Sequence, residues 1–202
     1  MEVSDAIRKR RSVRFYTGEA ISEDKVKKLV EAAIWAPSGH RVYGWKMVIA
    51  QREELIRRIK TVSPGIYGEA PVLMIFCRDK TKEKVAAENW TPTSPAVKEL
   101  FEKGPESSPK GLVDVLSLMD IAIAAQNVCL AAMAFGISSC MVGLFDKEAV
   151  RELLGLPKHI APTLFVSLGY RNKAADIEWL RNYPTGLPMV RSVEDRIIDW
   201  VK

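Results

Sequence analysis

The longest apolar segment of the chain, 112–135, constrains the fold more than any other feature. Apolar side chains recur along it at helical spacing and alanines cover the remaining faces, so a helix here is expected to be buried. Its polar residues Asp120, Gln126 and Asn127 then need hydrogen-bond partners inside the protein. A membrane span is the weaker interpretation, because these side chains interrupt a segment barely long enough and no second such segment exists. The segment therefore predicts a buried central helix, in a core or at a subunit interface.

Composition predicts an ordinary globular protein. A chain of 202 residues with 48% hydrophobic content suits one domain with one sizeable core. No leader-like apolar segment follows Met1, which favours a cytoplasmic location. The three cysteines lack close C-x-x-C spacing and there are only two histidines. These counts argue against a disulfide framework, a metal site or a histidine-based triad, and they favour packing roles for the cysteines.

The formal charge of +5 is concentrated near the start of the chain, where five cationic residues lie between positions 8 and 14. Arg10 and Arg14 share a face whether this segment is helical or extended, and Ser12 joins them if it is extended. Convergent guanidinium groups suit a phosphate. The alternative is a solvated basic end, or an arm that contacts nucleic acid. Composition alone favours that alternative.

Hydrophobic periodicity predicts elements through most of the chain. Helices are expected at 4–9 with Ser4 as cap, between Ser22 and Pro37, at 53–60, and after the capping Asp146. The apolar face of the second helix comprises Val26, Leu29, Val30, Ala33 and Ile34. Strands are expected at 45–50, 71–77 and 163–168. The uninterrupted apolar run 71–77 belongs in the middle of a sheet.

Two segments break this regular pattern. The segment 78–110 is charged and then rich in proline, so it predicts a surface excursion or lid with short helices at 83–89 and 95–102. The tail 170–202 is predicted to be irregular and to end in an amphipathic segment with aromatic residues. A partner subunit is one candidate to cover that tail. The chain contains no internal repeat and no indication of a second domain.

Four motifs in order resemble the FMN-dependent nitroreductase family between Val3 and about Tyr170. They are Arg10-Arg11-Ser12-Val13-Arg14-Phe15, then Ala36-Pro37-Ser38-Gly39, then Ala70-Pro71 before a strand, and last Ala124-Ala125-Gln126-Asn127 with Leu130-Ala131-Ala132 and Gly136-Ile137-Ser138-Ser139-Cys140. The resemblance implies an α+β fold with a central, mostly antiparallel sheet flanked by helices. It also implies an intertwined homodimer with FMN at the interface, one nitroreductase-like FMN-binding domain over 1–202, and a tail, 171–202, that packs on the partner.

The resemblance also assigns residues to the FMN site. The family residues that hold the flavin phosphate, ribityl chain and ring edge correspond here to Arg10, Arg11, Ser12 and Arg14. This assignment outweighs the interpretation of the segment as a solvated basic end. A loop donated by the partner subunit corresponds to Pro37, Ser38, Gly39, His40 and Arg41. The segment along the reactive nitrogen of the ring corresponds to Met141, Val142, Gly143 and Leu144. A late basic residue that reaches the phosphate is matched by Arg191.

Some positions depart from the family pattern. Arg41, Tyr43 and Gly44 stand where the family usually has asparagine, glutamine and proline, and only the following Trp45 is retained. Leu144 stands where many members have glycine. These departures bear on the substrate more than on the fold.

The resemblance implies an enzyme that passes electrons from NAD(P)H through bound FMN to a small-molecule acceptor such as a nitroaromatic or a quinone. No side-chain nucleophile, general base or metal is required, because the flavin carries the chemistry. One alternative is a specialised member of the same fold: dehalogenase-like, flavin-fragmenting or a flavin carrier. A flavin-free basic module that binds nucleic acid is less favoured, since no further basic stripe interleaved with aromatics is present. No nucleic-acid or membrane partner is predicted.

Overall fold

A four-stranded antiparallel sheet with the strand order β1-β2-β4-β3 forms the centre of the computed structural model, which describes residues 1–39, 42 and 44–182. The strands are β1 (Trp45–Ala50), β2 (Val72–Asp79), β3 (Ser138–Val142) and β4 (Ile160–Gly169). The helices are α1 (Val3–Lys9), α2 (Glu23–Ile34), α3 (Glu53–Thr61), α4 (Lys80–Glu88), α5 (Pro95–Glu102), α6 (Pro109–Ala134), α7 (Lys147–Leu153) and α8 (Lys173–Asn182). The expected α+β fold with an antiparallel sheet is therefore confirmed.

Strand β2 is buried along 72–77 because both of its faces are covered. It pairs with β1 on one side and β4 on the other, which confirms the central position predicted from its apolar run. Leu73 and Ile75 face a core that contains residues of α3 and α7. Met74 and Phe76 face a second core that contains residues of α2 and α6. Alternate side chains of one strand thus join the two helical layers to the sheet.

Helix α6 is the central helix, but only part of its circumference is buried. Its cap is Ser108, whose Oγ accepts the backbone N–H of Gly111 at 3.1 Å. Val115, Leu118, Met119 and Ile123 are 36–53% exposed, so the expectation of burial on all sides is wrong for the chain alone. Among the described residues α6 alone is long and apolar enough to cross a membrane, a test that core helices of globular proteins also pass.

Other expectations need correction at particular residues. Ser4 does not cap α1, because the helix begins at Val3 after Glu2. Ile34, predicted to face the core, is exposed at the end of α2. The tail is not irregular throughout, since 173–182 form α8. Its terminal amphipathic segment lies outside the described residues.

The start of the segment 78–110 is fixed to the core by ion pairs. Helix α4 begins at Lys80, earlier than predicted, because the Asp79 carboxylate accepts the backbone N–H groups of Thr81 and Lys82. Arg78 at the end of β2 pairs with Glu83 of α4 at 2.6 Å and with Asp114 of α6. The hydrogen bond from Lys110, and also the bond and charge of Arg78, lower the pKa of Asp114 to about 2. This excursion is therefore anchored where it leaves the sheet.

Candidate cofactor-binding site

The cationic segment near the start of the chain runs extended beside strand β3. We call residues 10–16 the basic strap. Ser12 forms a parallel bridge with Ser139, and the N–H of Val13 donates to the Ser139 carbonyl at 3.0 Å. Val13 is buried, so alternate residues of the strap face away from the core. A segment packed in this way is not a free basic arm.

Three strap residues affect one thiol of β3. Burial raises the pKa of Cys140, and the charge of Arg14, a hydrogen bond with Ser12 and the charge of Arg10 all oppose that rise. Nη1 of Arg14 donates to the Ser12 carbonyl at 3.2 Å, so this guanidinium lies beside Ser12. Arg10 precedes them on the same extended segment, where even spacing predicts that the three side chains share a face.

Arg11 points elsewhere. Its Nη1 donates to the Arg8 carbonyl at 2.5 Å and to the Arg10 carbonyl at 2.8 Å. These carbonyls lie at the end of α1, where helical backbone groups lack intrahelical partners. The side chain of Arg11 thus caps the C-terminal end of α1 and does not point towards Cys140. Its assignment to the cofactor stays a prediction.

The segment predicted to lie along the flavin ring leaves β3 beside the strap. Met141 and Val142 belong to β3, and Gly143 and Leu144 follow it. A Cβ added at Gly143 would meet no atom within 4 Å. Leu144 is 67% exposed, a high value for a leucine next to a core strand. The segment therefore offers an open, partly apolar surface next to the convergent arginines.

A glycine-containing loop, 63–68, joins the strap to this open segment. The N–H of Gly68 donates to the Arg14 carbonyl at 3.0 Å, and the N–H of Gly65 donates to the Leu144 carbonyl at 3.3 Å. A Cβ at Gly68 would lie 2.6 Å from the Arg14 carbonyl oxygen, and a Cβ at Gly65 would lie 2.5 Å from Cγ1 of Val142. Both positions thus require glycine for close backbone approach. This loop is not among the residues assigned to the site from the sequence, although two glycines in so short a segment were the available signal.

The loop after α2 is held by a buried carboxylate of α6 that the sequence analysis did not assign to the site. Asp120 is 2% exposed. Its Oδ2 accepts the hydroxyl of Ser38 at 2.6 Å and its Oδ1 accepts the N–H of Gly39 at 2.9 Å. Asn127 of α6 is also hydrogen-bonded, since its Nδ2 donates to the Ala32 carbonyl of α2 at 3.2 Å. For Asp120 and Asn127 the predicted need for internal partners is therefore met by α2 and the loop that follows it.

Several predicted site residues cannot be placed. Pro37 is exposed beside Ser38 and Gly39, whereas His40, Arg41 and Arg191 lie outside the described residues. The structure thus places the strap, the segment 141–144 and the first half of the loop after α2.

Removing the Asp120 carboxylate is expected to destabilise the protein. Asp120→Ala leaves the Ser38 hydroxyl and the Gly39 N–H without their acceptor, which costs about 1–3 kcal/mol of unfolding free energy. Asp120→Asn keeps an acceptor oxygen and should lose less. Urea unfolding of both variants beside wild type measures the difference. Equal stability of wild type and Asp120→Ala would show that the loop does not depend on this carboxylate.

An antiparallel sheet covered by helices on both faces, with convergent arginines beside its edge strand, defines an α+β protein equipped to bind a phosphate-bearing cofactor. The chain belongs to the nitroreductase family, whose sequence model matches residues 7–170. The family predicted from the four motifs is therefore confirmed.

Relatives agree with this membership, and a solved structure shares the fold. The chain is 28% identical to a Methanothermobacter thermautotrophicus protein provisionally named an NADH dehydrogenase/NAD(P)H nitroreductase, over 84% of this chain and 78% of that protein. It is 27% identical to a Bacillus subtilis FMN reductase [NAD(P)H], over 84% of this chain and 66% of that protein. A crystal structure of a nitroreductase family protein from Streptococcus pneumoniae superposes with a TM-score of 0.69 at 22% identity, covering 99% and 100% of the two chains.

Proposed function

We propose that this protein is an FMN-dependent oxidoreductase that passes electrons from NAD(P)H to a small-molecule acceptor such as a nitroaromatic or a quinone. The observation that carries the proposal is the extended basic strap, which bridges to β3 at Ser139 and holds Arg10, Ser12 and Arg14 beside the open segment 141–144. Two guanidinium groups and a hydroxyl are suitable donors for a terminal phosphate. The names of the two relatives, an NAD(P)H nitroreductase and an FMN reductase, support the same cofactors.

In this proposal the protein binds and orients its cofactor and substrates. Arg10 and Arg14 hold the phosphate, with Ser12 between them, and backbone groups of Met141 to Leu144 lie along the ring. FMN, when bound, supplies the electron-transfer chemistry. The loop 63–68 keeps the phosphate-binding and ring-binding segments at a constant separation, because it is hydrogen-bonded to both. Arg11, Pro37, Ser38, Gly39, His40, Arg41 and Arg191 complete the proposed site by family resemblance.

The proposed assembly is a homodimer in which α6 packs against α6 of a second copy. Its exposed apolar residues are Val115, Leu118, Met119 and Ile123, and α1, which contacts α6, adds exposed Val3 and Ile7. An apolar face of this kind on a family enzyme is best covered by an identical subunit.

The position of the loop after α2 supports the same assembly. The loop is anchored at Asp120 near the middle of α6, whereas the strap pairs with Ser139 of the edge strand β3. Different elements therefore hold the loop and the strap, and the loop can serve the site of a partner.

The purified protein is expected to be yellow and to release about one FMN per chain, identified by chromatography. Under anaerobic conditions NADH or NADPH should bleach the flavin absorption, and a nitroaromatic or quinone should restore it. A colourless protein that does not take up added FMN would refute the proposal. A flavin-loaded protein that neither pyridine nucleotide reduces would favour the carrier alternative.

A further inference from the structure

Helix α8 fixes the backbone of the basic strap although it lies beyond the family-matched residues 7–170. Asp176 of α8 is 1% exposed. Its Oδ1 accepts the backbone N–H of Arg14 at 3.0 Å, and its Oδ2 accepts Nε of Arg171 at 2.9 Å. Such a buried carboxylate, bonded to a cation and to a distant backbone group, fixes the position of Arg14 in the strap.

The same helix also contacts the side chain of Arg14. The guanidinium carbon of Arg14 lies 4.4 Å from the ring centroid of Trp179, over the face of the indole. Trp179 is in turn packed against Tyr67 at 4.9 Å and Phe15 at 6.4 Å between ring centroids. Tyr67 is adjacent to Gly68, which bonds to the Arg14 carbonyl. The indole is therefore held by the strap and by the loop 63–68.

Stacking of this kind orients a guanidinium without using its hydrogen-bond donors. The N–H groups of arginine lie in the plane of the guanidinium, so a ring on one face leaves them available. Arg14 uses Nη1 to donate to the Ser12 carbonyl at 3.2 Å. The remaining donors can bind an anion in the same plane.

We propose that Trp179 is a positioning residue for phosphate recognition, acting through the guanidinium of Arg14. This inference rests on the proposed binding of FMN. The indole restricts Arg14 to one orientation before the phosphate arrives, and Asp176 holds its backbone, so less conformational entropy is lost on binding. Helix α8 thereby contributes to cofactor affinity from outside residues 7–170, the part of the chain that matches its family.

The test compares FMN with riboflavin, which lacks the phosphate. Full-length protein is stripped of flavin, and binding of each flavin is followed by the quenching of its fluorescence. Trp179→Leu should weaken FMN binding about 5- to 30-fold, because a desolvated cation–π contact contributes on that scale. Riboflavin binding should change little. Trp179→Phe keeps an aromatic face and should lie between wild type and Trp179→Leu, which preserves the test if the leucine variant folds poorly.

A double-mutant cycle with Arg14→Ala decides whether Trp179 acts through Arg14. In the Arg14→Ala background, Trp179→Leu should cause no further loss of FMN affinity. Trp90→Leu is the matched control, since Trp90 is a half-buried tryptophan whose ring packs against Phe101 of α5. It should leave the ratio of FMN to riboflavin affinity unchanged.

Each other outcome overturns the inference. An equal loss for both flavins would mean that Trp179 only supports folding. Unchanged or tighter FMN binding by Trp179→Leu would mean that the stacked ring is neutral or inhibitory. In these cases the wild type still binds FMN, so the proposed function survives, whereas a wild type that binds neither flavin refutes the function itself.

Discussion

Replacing Arg10 and Arg14 together with alanine is expected to weaken FMN binding by about 100-fold or more and to leave riboflavin binding nearly unchanged. A hydrogen bond to a charged group contributes about 1.5–3 kcal/mol, and the double variant loses at least one from each arginine. At about 1.4 kcal/mol per tenfold change in affinity, two such losses give the stated factor. Titration of stripped protein with each flavin measures both dissociation constants.

The control for this variant is a pair of arginines on α3. Arg57 and Arg58 are exposed, and Arg57 pairs with Glu53 and Glu54 of the same helix. Removal of both charges by Arg57→Ala and Arg58→Ala lowers the net charge equally but should leave the affinity for FMN unchanged. If the strap variant loses both flavins to the same extent, Arg10 and Arg14 do not recognise the phosphate.

Placing two carboxylates on the exposed face of α6 is expected to convert the protein into monomers. Met119 and Ile123 are one helical turn apart and both exposed, so Met119→Glu with Ile123→Glu introduces four charges into the proposed dimer interface. Each buried ion carries a penalty of several kcal/mol, which together exceeds what an ordinary interface can offset. Sedimentation at low micromolar concentration should change from a dimer to a monomer. The monomer should also lose FMN, because the loop after α2 is proposed to serve the partner's site.

Two equally exposed apolar residues outside α6 provide the comparison. Val85 on α4 and Leu100 on α5 are 53% and 47% exposed, close to the 52% of Met119. The variant with Val85→Glu and Leu100→Glu should remain a flavin-loaded dimer. A folded monomer that retains FMN would contradict the donated loop, and a dimeric α6 variant would contradict the interface itself.

Local sequence patterns predicted the elements that carry a clear apolar run or a capping residue. The apolar run 71–77 marked β2 because only a strand covered on both faces can hide every side chain. Asp146 marked the start of α7 because its carboxylate accepts the N–H groups of Glu148 and Ala149. The prediction failed at Ser4, because α1 begins one residue before it, and at α8, where weak periodicity hid a helix that Asn172 caps by accepting the N–H of Ala175.

The sequence by itself determined the class of protein. Four ordered motifs identified the nitroreductase family, and the spacing of Arg10 and Arg14 placed them on one face in either backbone geometry, with Ser12 beside them if the segment is extended. The apolar segment 112–135 predicted the central helix. These properties depend on residues close together in the chain, whose relative directions follow from backbone geometry alone.

The tertiary structure decided which distant groups meet. It joined Ser38 to Asp120, brought Gly68 against Arg14, and placed Trp179 over the same arginine. It also left one face of α6 uncovered in a helix that looked apolar throughout. Contacts between groups 82 or 162 residues apart depend on how the helical layers pack on the sheet, and no local spacing encodes that packing.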